Sequence, residues 1–285
     1  MTTLRPAGTP ARSAASPLLD VLAAGIEVFD LGRPLTVGMP QSPNHPAYWH
    51  SLPRRHGDMV RSDGGSAAND MISMGTHVGT HIDALAHVSH EGKLFGDVSA
   101  AGALSGGRYA ELGAHTIDPM VCRGVLLDVP AALGSPAGLD AGYEITRADL
   151  ETTVEVQGTR PVAGDVVLVR SGWGRRFDEG APYVGGESGV PGVGEDGARW
   201  IAEHEVRATG ADTIAFERLA PGAGHSVLPA HRVLLVENGI YIVEALDLEE
   251  LAAARQHEFL FVLSSLALYG ATGSPVRPLA VVSRG

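Results

Sequence analysis

The chain has 285 residues, of which 44% are hydrophobic and 19% are charged, a composition typical of a globular protein with a sizeable core. Its formal net charge of −12 argues against nucleic acid and anionic membrane surfaces as partners, since both require a clustered basic face. The single cysteine, Cys122, excludes an intrachain disulfide.

Residues 1–17 carry no apolar core of the kind that a signal peptide needs. We therefore expect a flexible leader over 1–17 and a single domain over 18–285. No apolar run approaches the ~20 residues of a membrane helix. These features favour a cytoplasmic location.

Short elements separated by glycine and proline turns follow one another along the chain. Thr146 and Asp149 form a capping-box pattern that opens a helix, and Asp247 is the expected N-cap of another. The long irregular stretches 37–70 and 174–197 are expected to be functional or mobile loops. The predicted order is helix 18–24, strand 121–129, helix 146–156, strand 165–172, helix 194–206, strands 212–217 and 239–245, helix 247–255, and strands 259–268 and 274–282. Because strands and helices mix without strict alternation, we expect an α/β or α+β single domain with a mixed central sheet.

The segment HVGTHIDALAH, residues 77–87, concentrates three histidines and one aspartate between small or apolar residues. On a straight strand His77 and His81 would lie roughly 13 Å apart, too far to share an ion. Gly79 lies midway between them, and glycine tolerates the bulge or positive φ that a bend requires. A kinked extended segment would bring His77, His81 and Asp83 together.

Two imidazoles and one carboxylate suit Zn²⁺, Mn²⁺ or Fe²⁺. Three protein ligands leave coordination positions open, as in catalytic sites, and water bound there can reach a pKa of about 7. His87 lies just beyond the three ligands and is well placed as a general base or proton shuttle. The pattern predicts a catalytic site that uses divalent metal, Zn or Mn, with one or two ions per chain.

HVGTHIDALAH resembles the HxGTHxDxPxH signature of the cyclase family of metal-dependent hydrolases, which includes bacterial kynurenine formamidase and isatin hydrolase. Leu85 stands where the signature has proline. The resemblance covers about residues 28–282. Its parts are similar to the opening strand (29–40), the central strand (165–173), the segment with a distal histidine and glutamate (231–246) and the closing strand (273–282) of the family.

The resemblance implies a swivelling β/β/α domain that forms a homodimer or homotetramer, with residues 40–60 helping to close the site. It implies that Asp83 bridges a first ion to a second one. The implied site residues are the metal ligands His77, His81, Asp83, His231 and Glu244, and the catalytic His87.

The distal ligands also have support from the residues themselves. Glu244 ends an apolar strand, where a carboxylate needs a partner that a metal would provide. His231 precedes the apolar run VLLV, and His225, in the glycine-rich sequence PGAGHS, is a competing distal ligand. The sequence leaves the choice between the two histidines open.

Two tryptophans are candidate substrate-binding residues. Trp173 follows the end of a predicted strand, and Trp49 lies in the long irregular stretch before the histidine cluster. Glu217 and Arg218 end another predicted strand at a turn, where such a pair either orients a substrate or forms a solvated rim.

The favoured function is hydrolysis of a C–N amide bond in a small cyclic or N-acyl substrate, such as an aryl formamide or a lactam. Metal-activated water would attack the carbonyl carbon, and His87 would protonate the leaving nitrogen. A non-haem iron oxygenase using His81, Asp83 and His231 is an alternative, although it leaves His77 and His87 without a role. A lyase or dehydratase at the same metal, and a non-enzymatic binding module, are the others.

Overall fold

The computed structural model describes residues 17–284. Its strands are β1 (Ile26–Asp30), β2 (Trp49–Arg54), β3 (Asn69–Ser73), β4 (His81–Asp83), β5 (Leu104–Ser105), β6 (Arg108–Tyr109), β7 (Met120–Asp128), β8 (Glu144–Ile145), β9 (Val166–Arg170), β10 (Gly192–Val193), β11 (Ala208–Ala211), β12 (Tyr241–Glu244), β13 (Glu258–Leu263), β14 (Gly273–Pro275) and β15 (Leu279–Ser283).

The α-helices are short and lie between the strands. They are α1 (Pro17–Ala24), α2 (Ala100–Ala103), α3 (Val129–Ala132), α4 (Arg147–Gln157), α5 (Ala181–Val184), α6 (Glu195–Glu203), α7 (Pro229–His231) and α8 (Glu249–Ala253). Turns of 3₁₀ helix cover Phe95–Asp97, Ala114–Thr116 and Trp173–Glu179, and a π-helix covers Arg232–Glu237.

Nine strands form one mixed sheet in the order β1-β15-β13-β7-β9-β11-β12-β4-β14. Strands β7, β9, β11 and β12 are parallel neighbours at its centre. Strand β4 runs antiparallel to β12, and the register pairs His81 with Glu244. The first residue of β4 therefore lies beside the last residue of β12, which places two polar side chains at one edge of the sheet.

Both faces of the central strands are buried, which explains their continuous apolar sequences. Along β9, Val167 and Val169 belong to an apolar layer that includes side chains of α4, α6 and the π-helix. Val166 and Leu168 belong to a second layer on the other face, with side chains of β13 and α8. Alternate residues thus serve opposite faces, as the pleat of a strand requires.

The mixed α/β single-domain fold predicted from the sequence is confirmed. The capping box of Thr146 and Asp149 is present at the start of α4. The predicted leader lies outside the described residues except for Pro17, where α1 begins. Within residues 17–284, no helix has both the length and the apolar character that crossing a membrane requires.

The strand predicted over 212–217 is wrong, because β11 ends at Ala211 and the chain then turns irregularly beside the histidine cluster. In residues 212–217 a backbone N–H group bonds to a side chain instead of to a neighbouring strand: Phe216 N donates to Glu244 Oε1 at 2.8 Å. A short buried apolar run cannot be assigned to a strand by periodicity alone.

Three later elements also differ clearly from the prediction. The strand predicted over 259–268 ends at Leu263, and the one predicted over 274–282 is two strands, β14 and β15, separated by a link that contains Pro278. Proline has no N–H for a sheet ladder. Asp247 is not the N-cap of α8, which begins at Glu249; its carboxylate instead pairs with Arg33 at 3.0 Å.

Candidate metal centre

The segment from His77 to Asp83 has the bend that its sequence predicts. Gly79 adopts a φ of +68°, a left-handed conformation that favours glycine. His77 Nδ1 lies 2.6 Å from Asp83 Oδ1, and His81 Nε2 lies 3.5 Å from the same oxygen. All three side chains are buried. The structure therefore brings together His77, His81 and Asp83, as the motif predicts.

Glu244 joins this cluster because β12 pairs with β4. The register that sets Glu244 opposite His81 leaves Glu244 Oε2 3.3 Å from His81 Nε2. The other oxygen, Oε1, accepts a hydrogen bond from the backbone N of Phe216. One carboxylate oxygen is thus fixed by the protein while the other faces the histidine.

His231 reaches the cluster from α7. Its Nε2 lies 3.4 Å from Asp83 Oδ2 and 3.2 Å from Glu244 Oε1. Its Nδ1 forms a short hydrogen bond with Glu217, whose other oxygen accepts from the backbone N of Ala230 at 2.7 Å. A carboxylate behind a metal-binding imidazole fixes the ring orientation and raises its basicity. Glu217 is fully buried, so the solvated-rim interpretation of this residue is wrong.

Four of these side chains face one another across a small gap: His81, Asp83, His231 and Glu244. Each imidazole Nε2 lies between 3.2 and 3.5 Å from one oxygen of each carboxylate. Ligands about 2.1 Å from a common ion in tetrahedral geometry lie about 3.4 Å from one another. Asp83 Oδ2 is buried and has no hydrogen-bond partner. The donor set suits a divalent cation, and His81, Asp83 and Glu244 are close enough to one another to hold one.

The electrostatics of the cluster also favour a cation. Burial opposes the charged form of Glu244, but His231 and His81 lower its pKa to about 2. Burial likewise opposes ionisation of Asp83, yet the neighbouring imidazoles hold its pKa well below the ordinary value. Burial lowers the pKa of His231, but Glu217, Asp83 and Glu244 outweigh it and raise that pKa well above the ordinary value. The two buried carboxylates stay ionised because the neighbouring imidazoles hold protons. A bound divalent metal can take the place of those protons and supply the positive charge.

His77 contacts the cluster through Asp83. Its Nε2 lies 2.9 Å from Thr272 Oγ1, and its ring stacks on that of His87 with centroids 3.8 Å apart. Two sets of side chains are close enough to hold an ion, namely His77, Asp83 and His87, and His81, Asp83 and Glu244. Asp83 belongs to both sets, which is the arrangement that a bridging carboxylate requires.

A cavity of about 220 Å³ lies beside the cluster. His87 is in its wall, where burial lowers the pKa of the imidazole to about 3 against the opposing charge of Asp83. The ring is therefore neutral at pH 7. The lining residues are Ser42, Asn44, His45, His77, His81, His87, Val88, Ile214, Ala215, His225, Leu228, His231 and Glu244.

The loop before β2 contributes three residues to this wall, Ser42, Asn44 and His45. The ring of His45 stacks on that of His77 with centroids 5.3 Å apart. The sequence indicated that residues 40–60 help to close the site but did not single out His45, because an isolated histidine in a loop carries no periodic or spacing signal.

The two candidate distal histidines occupy different positions. Neither histidine belongs to the two sets of described side chains that are close enough to hold an ion. His225 lines the cavity, whereas His231 Nε2 lies 3.4 Å from Asp83 Oδ2 and 3.2 Å from Glu244 Oε1. The geometry favours His231 as the distal ligand.

Neither candidate tryptophan lines the cavity. Trp173 is buried in an apolar cluster, where its Nε1 donates to the backbone O of Tyr183 at 2.8 Å. Trp49 is 62% exposed on β2. Within the described residues, the cavity wall is made of imidazoles, short polar side chains, aliphatic side chains and the Glu244 carboxylate.

Comparison with known proteins gives matches along most of the chain. A family model described as "Putative cyclase" matches residues 29–218. An isatin hydrolase from Roseibium aggregatum is 25% identical over 226 residues, which cover 78% of this chain and 78% of that protein. A crystal structure described as a novel cyclase is 31% identical, with a TM-score of 0.80 and coverage of 93% of both chains. The structure of isatin hydrolase A from Ralstonia solanacearum is 24% identical, with a TM-score of 0.71, and the match covers 96% of this chain and 100% of that chain. At this level of identity the match shows a shared fold.

Proposed function

The chain belongs to the cyclase family, and from that premise we propose that it is a metal-dependent hydrolase that cleaves a C–N amide bond of a small substrate. The observation that carries the proposal is the buried Asp83 Oδ2, which accepts no hydrogen bond although it lies 3.4 Å from His231 Nε2. A buried carboxylate oxygen without a partner is costly unless a cation occupies its neighbourhood.

The proposed ligands are His77, His81, Asp83, His231 and Glu244, with Asp83 shared where two ions bind. When bound, a divalent cation such as Zn²⁺ or Mn²⁺ polarises a carbonyl group and makes water acidic enough to serve as the nucleophile. Glu217 holds His231 by its Nδ1 and so directs Nε2 toward the carboxylates. The backbone N of Phe216 does the same for Glu244.

His87 is the proposed proton carrier. Its imidazole adjoins the cluster and lines the cavity, so it is placed to take a proton from attacking water and to pass it to the departing amide nitrogen. The balanced reaction adds water across the C–N bond and gives a carboxylic acid and an amine. His77, stacked on His87, holds the ring in place.

The cavity indicates the size and chemistry of the substrate. Its volume of about 220 Å³ suits a small molecule. Ser42 and Asn44 in its wall offer hydrogen bonds, and Ile214 and Leu228 offer apolar contact. No lysine or arginine is among the described lining residues. These features support an uncharged amide or lactam, and the similarity to an isatin hydrolase supports a cyclic one.

The iron oxygenase is less well supported. That class uses two histidines and one carboxylate on one face of the metal. Here Glu244 lies beside both His81 and His231, so the set has a second carboxylate. Parallel strands at the centre of the sheet also differ from the antiparallel jelly roll that many double-stranded β-helix proteins share.

The test is elemental analysis of protein purified without added metal, combined with a turnover screen against isatin, N-formylkynurenine and simple lactams. We expect one or two transition-metal ions per chain, loss of turnover on chelation and recovery with Zn²⁺ or Mn²⁺. Absence of bound metal after reconstitution would remove the basis of the proposal. A requirement for oxygen would favour the oxygenase.

A further inference from the structure

Thr80 and Ala245 lie beside the metal centre, where β4 begins and β12 ends. The register of these antiparallel strands pairs Glu244 with His81, and one further step of it would place Ala245 opposite Thr80. At that step the Thr80 hydroxyl donates to the backbone O of Ala245 at 2.8 Å, so a side chain continues the contact between the two segments. Thr80 precedes His81 and Ala245 follows Glu244, so each is the chain neighbour of a candidate metal ligand.

Ala245 has a strained backbone. Its φ is +54°, a left-handed conformation that disfavours residues with a Cβ, and the residue is buried. Such a conformation persists only where its surroundings enforce it, and it often occurs at functional sites. The Ala245 N–H donates to Thr213 O at 2.9 Å, and its own O accepts from Thr80. Hydrogen bonds from two other segments therefore hold the residue that directly follows Glu244.

The Thr80 hydroxyl has a second partner. It accepts a hydrogen bond from the backbone N of Arg33 at 2.8 Å, and Thr80 is only 1% exposed. The Arg33 guanidinium holds the next two residues beyond Ala245, because it bonds to Leu246 O at 3.3 Å and to the Asp247 carboxylate at 3.0 Å. Loss of the hydroxyl would leave a buried donor and a buried acceptor without partners.

Thr80 is also fixed on the side of His81. The backbone O of Thr80 accepts from Val276 N at 3.0 Å, and the backbone O of Gly79 accepts from His81 Nδ1 at 2.8 Å. With Nδ1 held there, His81 Nε2 faces Glu244 Oε2 at 3.3 Å. Thr80 therefore joins the segment that orients His81 to the segment that carries Glu244.

We propose that Thr80 is a positioning residue of the metal centre. Its hydroxyl holds Ala245 in the left-handed conformation and thereby fixes Glu244 beside His81. Thr80 acts through the backbone, since its hydroxyl is occupied by Ala245 and Arg33. The inference rests on the proposed metal-binding function and adds a residue that acts on the spacing of the ligands.

Metal affinity, measured by competition with a chromogenic chelator, tests the proposal. Thr80→Val keeps the shape of the side chain and removes the hydroxyl, so we expect the affinity for Zn²⁺ to fall about tenfold or more. Thr80→Ser retains the hydroxyl and should bind Zn²⁺ nearly as well as the wild type, because serine offers the same donor and acceptor.

Thr209→Val is the matched control. Thr209 is also buried, and its hydroxyl donates to the backbone O of Val167 in the neighbouring strand at 2.9 Å. It lies on β11 and Val167 lies on β9, and neither strand carries a candidate metal ligand. We therefore expect Thr209→Val to lower stability and to leave the affinity for Zn²⁺ unchanged.

Ala245→Gly in the Thr80→Val background tests the role of the strained backbone. Glycine adopts a φ of +54° without a steric penalty, so the double variant should regain most of the lost affinity. Circular dichroism and thermal melting confirm that each variant is folded.

Amide hydrogen exchange of the metal-free protein gives a readout that does not depend on an ion. In Thr80→Val the Ala245 N–H should exchange about tenfold faster or more than in the wild type, because local opening costs less once the hydroxyl is lost. In Thr209→Val the exchange of this group should not change.

Wild-type affinity for Zn²⁺ in Thr80→Val, or an equal loss of affinity in Thr209→Val, would overturn the proposal. A double variant that regains no affinity would overturn it too. Failure of the hydrolase proposal gives a different result: a wild type that turns over no amide, while Thr80→Val still loses metal, would count against the hydrolase alone.

Discussion

Asp83 Oδ2 and His231 Nε2 lie 3.4 Å apart, both buried, and no hydrogen bond joins them. The distance is that of two ligands of one ion, and it is too long for a strong ion pair. Asp83 lies on β4, next to the edge strand of the sheet, and His231 lies on α7, which is distant in sequence. Their contact therefore depends on how β4, β12 and α7 pack together.

Replacing Asp83 by Asn should remove the metal. The substitution keeps the shape of the side chain and eliminates the negative charge that faces three imidazoles, so we expect metal affinity to fall by more than about 100-fold. Inductively coupled plasma mass spectrometry measures the bound metal. Asp165→Asn is the matched control: Asp165 is also buried, but it pairs with Arg123, and its loss should lower stability while metal content persists. Full metal occupancy in Asp83→Asn would contradict the assignment.

Replacing Glu217 by Gln should weaken the site without emptying it. The amide keeps the size of the carboxylate but cannot supply its negative charge to His231 Nδ1. We expect metal affinity to fall about 10- to 100-fold, which is the usual effect of mutating the hydrogen-bond partner of a metal-binding histidine. Competition with a chromogenic chelator gives the affinity. Unchanged affinity would show that Glu217 serves only to hold the loop at Ala230.

His87→Ala separates proton transfer from metal binding. We expect kcat to fall by about 10²–10⁴, the usual contribution of a general acid–base group, while metal content stays at the wild-type value. His204→Ala removes another partly buried histidine, one that bonds to the backbone of Trp200, and should retain activity. Loss of metal together with turnover in His87→Ala would instead make His87 a ligand.

Gly79→Ala tests the bend in the metal-binding segment. A Cβ added at Gly79 would lie 2.5 Å from Leu35 Cδ2, in addition to the strain of a φ of +68°. Gly158 has the same φ with nothing within 4 Å of an added Cβ, so Gly158→Ala measures the strain alone. We expect about 1 kcal/mol for Gly158→Ala and at least about 2 kcal/mol for Gly79→Ala, with weaker metal binding only in the latter. Urea unfolding of the metal-free proteins measures both; equal losses would show that the overlap is relieved without cost.

The buried Arg170 predicts a pH dependence of stability away from the metal. Burial raises the pKa of Glu249, but hydrogen bonds from Arg170 and Arg175 outweigh it and leave the pKa below the ordinary 4.5. The stabilisation is therefore complete above pH 4.5 and is lost as the pH falls through the lower folded-state value. Glu249→Gln should cost about 1–3 kcal/mol at pH 7, and the difference from wild type should shrink below pH 4.5.

Urea unfolding at a series of pH values follows this difference. Glu155→Gln is the control, because Glu155 is exposed on α4 and has no ion pair among the described residues. A Glu249→Gln difference that stays constant down to pH 3 would show that the arginines do not stabilise the ionised carboxylate.

Local features of the fold followed from the sequence where a short segment carried all the information. The capping box at Thr146 and Asp149 closes within one helical turn, so its residue types suffice to predict the start of α4. The run over 212–217 has the composition of a strand, but Asp212 accepts hydrogen bonds from the Ser171 and Gly172 backbone N–H groups, and these contacts turn the chain away from the sheet.

The sequence by itself determined the segment that bears the candidate ligands, because the bend at Gly79 needs only local backbone freedom to draw His77, His81 and Asp83 together. The tertiary structure alone decided that His231 contacts Asp83 and Glu244 while His225 lines the cavity, and that Glu217 lies behind His231. Strand register and helix placement set those distances, and both arise from packing between segments remote in the chain, which no local pattern of residues specifies.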